Sequence, residues 1–253
     1  SAIGADANSP SHYARTKALG EARIAEAGGP HVILRPSLVF GPGDSFFNRF
    51  AALARALPVL PLAGAESRFQ PVYVADVAEA VTRAVEGHVP AGKVYELGGP
   101  EVETLEALVR YMLKVTMRKR MVLGLPQPAA LLQARALEVV DTLTLGLLPD
   151  SLKLTRDQVI LLQNDNVVSE AAKVEGRTLE GIGLQPTAME AVVPGYLWRF
   201  RKAGQFAKMQ EHEGAIPETL APKPFVPRSG SGPALGPDSN APSRMGVRWG
   251  TRG

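Results

Sequence analysis

The stretch from Ser9 to Asp44 constrains this chain more than any other. A run suited to a helix (9–27) ends at Gly28-Gly29, the β-rich His31-Val-Ile-Leu-Arg35 follows, and a Pro/Gly loop closes it. Ser9 or Ser11 is placed to cap the helix, because a hydroxyl accepts from the unsatisfied N–H groups of a first helical turn. Paired glycines stop a helix at no steric cost. Helix, tight glycine turn and short apolar strand form the unit from which a doubly wound, parallel α/β sheet is built.

The unit recurs. Residues 48–57 read as a helix, and 70–87 as strand, cap and helix, with Asp76 near the helix N-terminus, where a carboxylate is favoured. Residues 93–100 read as a strand ended by glycines. Leu105, Leu108, Val109 and Met112 follow the i, i+3, i+4, i+7 spacing of an amphipathic helix. Further helices are expected at 155–164 and 187–204. The segment 122–149 is the most apolar. Pro126, Pro128, Arg135, Glu138 and Asp141 interrupt it well short of the roughly 20 apolar residues of a membrane span. It reads as a buried helix, or as an apolar face resting on a membrane or a partner subunit.

Composition excludes several classes. The 253 residues contain no cysteine, so disulfides, thiolate zinc sites and cysteine nucleophiles are ruled out. The four histidines lie far apart without ligand spacing, and no metal site is expected. The formal charge of +3 sits in residues 214–253, which carry five basic and two acidic residues. The body is neutral and lacks clustered basic residues with interleaved aromatics, so nucleic acid is not an expected partner. Seven Pro and seven Gly among those last 40 residues leave little to bury, and the tail reads as flexible.

Tyr13 and Lys17 are the first candidates for chemistry. At i and i+4 they project side by side from one helix face. A neighbouring ammonium favours a phenolate, which lets a tyrosine exchange a proton with a carbonyl or an alcohol. Ser1, twelve residues earlier, is placed to orient a substrate oxygen. Such a Ser–Tyr–Lys set suits hydride transfer from a nicotinamide. The same i, i+4 pair also arises by chance.

Taken together, five segments resemble the second half of an extended short-chain dehydrogenase/reductase: Ser1; Tyr13 with Lys17; Arg35-Pro36 running into Gly41-Pro42; the strand–Asp–helix of 69–81; and the strand of 94–101. The resemblance implies that Tyr13 and Lys17 contact a nicotinamide ribose. It implies that the loop with Pro36, Leu38 and Val39 lines the nicotinamide, and that Arg68 points at the substrate cleft. The expected fold is α/β: the second half of a Rossmann-type parallel sheet over 1–100 with a substrate-domain insertion near 41–67. A smaller, mainly helical α/β C-terminal domain over 101–213 and the tail 214–253 complete it. The family's Gly-rich pyrophosphate loop belongs upstream of Ser1, so the chain reads as the C-terminal part of a longer protein. Alone it is expected not to bind NADP(H) measurably.

Residues 153–169, with Thr155-Arg-Asp-Gln158 and Asp165-Asn166, and then 179–205, are untypical of sugar-nucleotide epimerases. They resemble one atypical branch, the NAD(P)H-binding accessory subunits of respiratory complex I and their bacterial relatives. That branch implies a tightly held NAD(P)H, expected to be NADPH, which is not turned over. It implies other complex I subunits as partners and a peripheral inner-membrane location on the cytoplasmic or matrix side. Membrane-surface contact would run through 122–149. The alternative is a free-standing NAD(P)-dependent reductase or epimerase acting through Ser1, Tyr13 and Lys17.

Overall fold

The computed structural model describes residues 1–143 and 155–202. Helix α1 (His12–Glu26) starts at Ser11, whose hydroxyl accepts from the Ala14 N–H, and gives way to Gly28 and Gly29 at φ +75° and +83°. Only glycine adopts those angles without strain, which is why the chain turns there into β1 (Val32–Pro36). Next come β2 (Val39–Phe40), α2 (Phe47–Ala56), β3 (Val59–Ala63), β4 (Arg68–Phe69), β5 (Val72–Tyr73) and α3 (Val74–Val85). The chain continues through β6 (Lys93–Leu97), β7 (Glu103–Thr104), α4 (Leu105–Val115), β8 (Met121–Leu125) and α5 (Gln127–Leu143). After 144–154 follow α6 (Arg156–Leu161), α7 (Glu170–Val174) and α8 (Met189–Leu197).

The strands join in pairs. β1–β6, β2–β5 and β3–β8 are parallel, and β4–β7 is antiparallel. In β1–β6 the register runs from Val32 opposite Lys93 to Pro36 opposite Leu97. Both strands therefore end at the same edge, where Pro36–Val39 and Gly98-Gly99 leave the sheet. The mixed α/β architecture with parallel pairs and crossover helices is the Rossmann-like fold that the sequence leads one to expect.

The main core holds Phe40, Phe47, Leu60, Leu108, Met112, Val193 and Leu197, drawn from both sides of position 100. The helical stripe of α4 is buried as its spacing predicts. A second cluster joins Val72, Ala80, Tyr95, Leu97 and Leu179. Helix α1 contributes little, burying only Ala14 while Leu19 and Ile24 stay exposed.

Three expectations change. Residues 121–125 are not helix but strand, paired with β3 from Val59 opposite Met121 to Ala63 opposite Leu125. The short apolar run before Pro126 has the length of a strand, and the partner 62 residues earlier selects that state. Helix α5 buries Ala130 and Ala134 against Ala63 and Val159 but leaves Leu132 exposed, so it is not buried all round. The remainder of the 122–149 segment and the tail 214–253 lie outside the described residues. Helices α6 and α8 are shorter than expected, and α8 tightens into a 3-10 turn at Trp198–Phe200. Among the described residues no helix is long and apolar enough to cross a membrane.

Candidate functional site

Pro36, Leu38 and Val39 lie at the carboxyl edge of β1, and the segment 155–168 reaches from there to the N-terminus of α1 and to Arg68. Thr155 and Gln158 form a reciprocal capping box at the start of α6. This fixes Asp157, whose carboxylate reaches the N-terminus of α1. It accepts from the His12 N–H at 2.7 Å, the Tyr13 N–H at 3.1 Å and the Ser11 hydroxyl at 3.1 Å. A carboxylate there satisfies orphan donors and complements the positive end of the helix dipole. Partial burial pushes the Asp157 carboxyl up, but the hydrogen bonds from Tyr13, His12 and Ser11 outweigh it and hold the group below its ordinary value.

Tyr13 and Lys17 stand together, as the i, i+4 spacing requires. The Lys17 ammonium lies 5.2 Å from the centroid of the Tyr13 ring, in cation–π range, and Tyr13 is 44% exposed. The edge residues Pro36, Leu38 and Val39 sit where β1 passes into β2. Leu38 packs against the main core, and Val39 pairs with Val72. Between them Ser37 donates to the Asn166 carbonyl at 2.6 Å and accepts from the Gln70 N–H at 3.2 Å.

Gln70 fastens three segments. Its amide donates to the Gly99 carbonyl at 2.7 Å and accepts from the Val168 N–H at 3.0 Å. Gly99 lies so close to residue 71 that a Cβ would stand 1.9 Å from the Pro71 carbonyl oxygen, so only glycine fits.

Arg68 is engaged by a partner. Its Nε and Nη2 donate to Asp165 Oδ2 at 2.9 and 2.6 Å, and its backbone N–H donates to Oδ1 at 2.9 Å. These bonds, the guanidinium's first, hold the Asp165 carboxyl below its ordinary value. The cleft-facing group here is Asp165, with Arg68 behind it. Ser1 donates to Glu21, which also takes a two-pronged contact from Arg35, Nε at 2.8 Å and Nη2 at 2.6 Å. The structure thus brings Tyr13, Lys17 and Leu38 to one region and ties Ser1 to Glu21, on the side of α1 that meets Arg35 of β1.

Beside Tyr13 opens a cavity of about 780 Å3, within the range of ligand pockets of roughly 300–1,000 Å3. Its apolar wall comes from α2 and β3. Its polar wall comes from the loop before α1 and from residues 164–166. Tyr13 and Leu38 line it, while Ser1, Lys17 and Arg68 do not. Sequence reasoning singled out Asp157, Asp165 and Asn166 only as motif residues, with no role in the site, and missed Gln70. The capping-box spacing of Thr155 and Gln158 was a readable local signal, but nothing in it names a helix 144 residues away as the partner.

The tyrosine–lysine pair and the edge loop fit the nicotinamide-ribose end of a dinucleotide. Two donors stand side by side, and among the described residues neither side chain has a hydrogen-bond partner. The described residues offer no Gly-rich strand–helix turn for the pyrophosphate.

Comparison with known proteins shows the family and the fold. The family described as RmlD substrate binding domain matches residues 4–133. NADH dehydrogenase [ubiquinone] 1 alpha subcomplex subunit 9, mitochondrial, of Arabidopsis thaliana is 31% identical over 206 residues, covering 81% of this chain and 50% of the plant protein. The Mus musculus protein of the same name is 31% identical over 190 residues, 74% of this chain and 47% of the mouse protein. The chain spans about half the length of the curated relatives it matches. Among solved structures, an NADPH-dependent quinone oxidoreductase of Escherichia coli, complexed with NADPH, superposes with a TM-score of 0.56 at 23% identity, covering 78% of this chain and 64% of that one.

Proposed function

This chain belongs to the RmlD substrate binding domain family of extended short-chain dehydrogenases/reductases, and we propose that it is part of an accessory subunit of respiratory complex I which holds a nicotinamide dinucleotide without turning it over. The carrying observation is the 31% identity to the plant complex I subunit over 206 residues. A span of that length takes in 155–168 wherever it starts. That segment binds the N-terminus of α1 through Asp157 and occupies Arg68 through Asp165. An arginine held this way is poorly placed to clamp a substrate phosphate, which supports a holding role over a turnover role.

In this reading Tyr13 and Lys17 hydrogen-bond the nicotinamide ribose, and the loop Pro36–Val39 lies against the nicotinamide ring. When bound, a nicotinamide supplies hydride chemistry; here the chain's residues position it and exclude water. NADPH is the form we favour, with the pyrophosphate site contributed by sequence outside this chain. The exposed Leu19 and Ile24 of α1 suit a face covered by further protein. We place the subunit at the inner membrane, peripherally, among other complex I subunits.

Tyr13 at the cavity wall favours a second reading, a reductase in which its hydroxyl gives a proton to a substrate carbonyl. The test is native-gel migration of the tagged full-length protein from gently solubilised membranes, stained for NADH dehydrogenase activity. Co-migration with a large NADH-oxidising band is expected, and Tyr13→Phe should leave it intact. A small species away from that band, with a reductase activity abolished by Tyr13→Phe, would replace the accessory reading by the catalytic one.

A further inference from the structure

We propose that the cavity beside Tyr13 binds a neutral, single-chain lipid whose head carries a hydrogen-bond donor, such as a long-chain alcohol or an N-acyl amide. This does not depend on whether the protein assembles into a larger complex.

The wall makes the case. Phe46, Phe50, Leu53, Leu57, Leu60 and Phe69 form an apolar surface along one side. Among the described lining residues only three carry charge, Arg49 and the two acids Asp6 and Asp165, so that lining has no excess of cations. A nucleoside diphosphate requires convergent cations or backbone N–H groups, and Arg68, paired with the lining residue Asp165, does not itself line the cavity. The chemistry of this cavity therefore disfavours a phosphorylated ligand and favours apolar burial.

The head group follows from two orphaned acceptors. Asn166 Oδ1 and Gln133 Oε1 are buried without a hydrogen-bond partner among the described residues, and both residues line the cavity. The Asn166 amide nitrogen donates to the Ile3 carbonyl, at 3.5 Å, and its oxygen is left without a partner. An unsatisfied buried acceptor is costly, and a hydroxyl or amide N–H entering the cavity would relieve it.

The test uses the full chain and displacement of the fluorescent probe N-phenyl-1-naphthylamine. Unbranched 1-alkanols of 8, 12 and 16 carbons should compete with affinities rising at least about tenfold per four methylenes until the cavity is full. The methyl ethers of the same alcohols should bind at least about tenfold more weakly, because they lack the donor. Leu53→Trp and Leu57→Phe, which fill the apolar wall, should each weaken binding about tenfold or more while retaining the melting temperature. Competition that ignores chain length, methyl ethers that match the alcohols, or displacement by uridine diphosphate at lower concentration than by hexadecanol would each overturn the proposal. So would unchanged binding in both filled variants. The length and ether series need no variant, so a misfolded substitution leaves the test decisive.

Discussion

The Asp157 carboxylate and the Tyr13 backbone N–H meet at 3.1 Å across 144 residues of sequence. The first turn of the helix that carries the tyrosine–lysine pair is therefore satisfied by a residue of α6, in addition to its own Ser11. Its orientation depends on a segment that belongs to a different part of the chain.

Asp157→Ala should cost about 1–2 kcal/mol, the range for losing a helix cap, and lower the melting temperature of a chain this size by about 2–8 °C. Asp157→Asn, which keeps one acceptor, should lose less. Differential scanning calorimetry reads both, and hydrogen exchange should quicken at His12 and Tyr13 specifically. Unchanged exchange there would refute the capping role.

Acid should destabilise the protein through three carboxylates. Asp157, Asp165 and Glu21 are all held below their ordinary values. For Glu21, partial burial pushes upward and the hydrogen bonds from Arg35 and Ser1 override it. For a depressed carboxyl, the unfolded chain binds more protons than the folded one, so stability rises with pH in that window. The contribution is complete above the unfolded values near pH 4 and falls away as pH drops through the lowered folded values. Melting temperature against pH should flatten below about pH 4 in Asp157→Asn and Asp165→Asn; a slope identical to the parent's in both would contradict this.

Gly99→Ala should unfold far more easily than the parent, because its Cβ would enter the Pro71 carbonyl. A cost of at least about 2 kcal/mol is expected from forced overpacking of a backbone contact. Gly20→Ala is the matching control. It lies within α1 with nothing within 4 Å of the new Cβ, and should stabilise by about 0.5–1 kcal/mol. Urea titration of the two variants should show opposite shifts in midpoint.

Removing either member of the Arg68–Asp165 pair should not be equivalent. The side chains are 59% and 37% exposed, so the ion pair itself contributes little. Asp165 also satisfies the Arg68 backbone N–H. Asp165→Ala should therefore lower the melting temperature more than Arg68→Ala does, and added salt should narrow only the part due to the ion pair. Equal losses in the two variants would mean the backbone bond is replaced by water.

The features legible in sequence are those whose causes are local. Ser11 caps α1, Gly28 and Gly29 end it, four apolar positions of α4 turn one face to the core, and Tyr13 and Lys17 share a helix face, all because a helix places i, i+3 and i+4 together wherever it lies. The strand 93–97 and the helix 74–85 follow in the same way from short apolar runs and their punctuation. What only the tertiary structure decided rests on partners far along the chain. It made strand of 121–125 by pairing it with 59–63, set Asp157 on the N-terminus of α1, turned Arg68 onto Asp165, and enclosed a cavity between α2, β3 and residues 164–166. A carboxylate and a backbone N–H carry no periodicity that announces their match. Their pairing is selected only when packing of the intervening elements brings them within hydrogen-bonding distance.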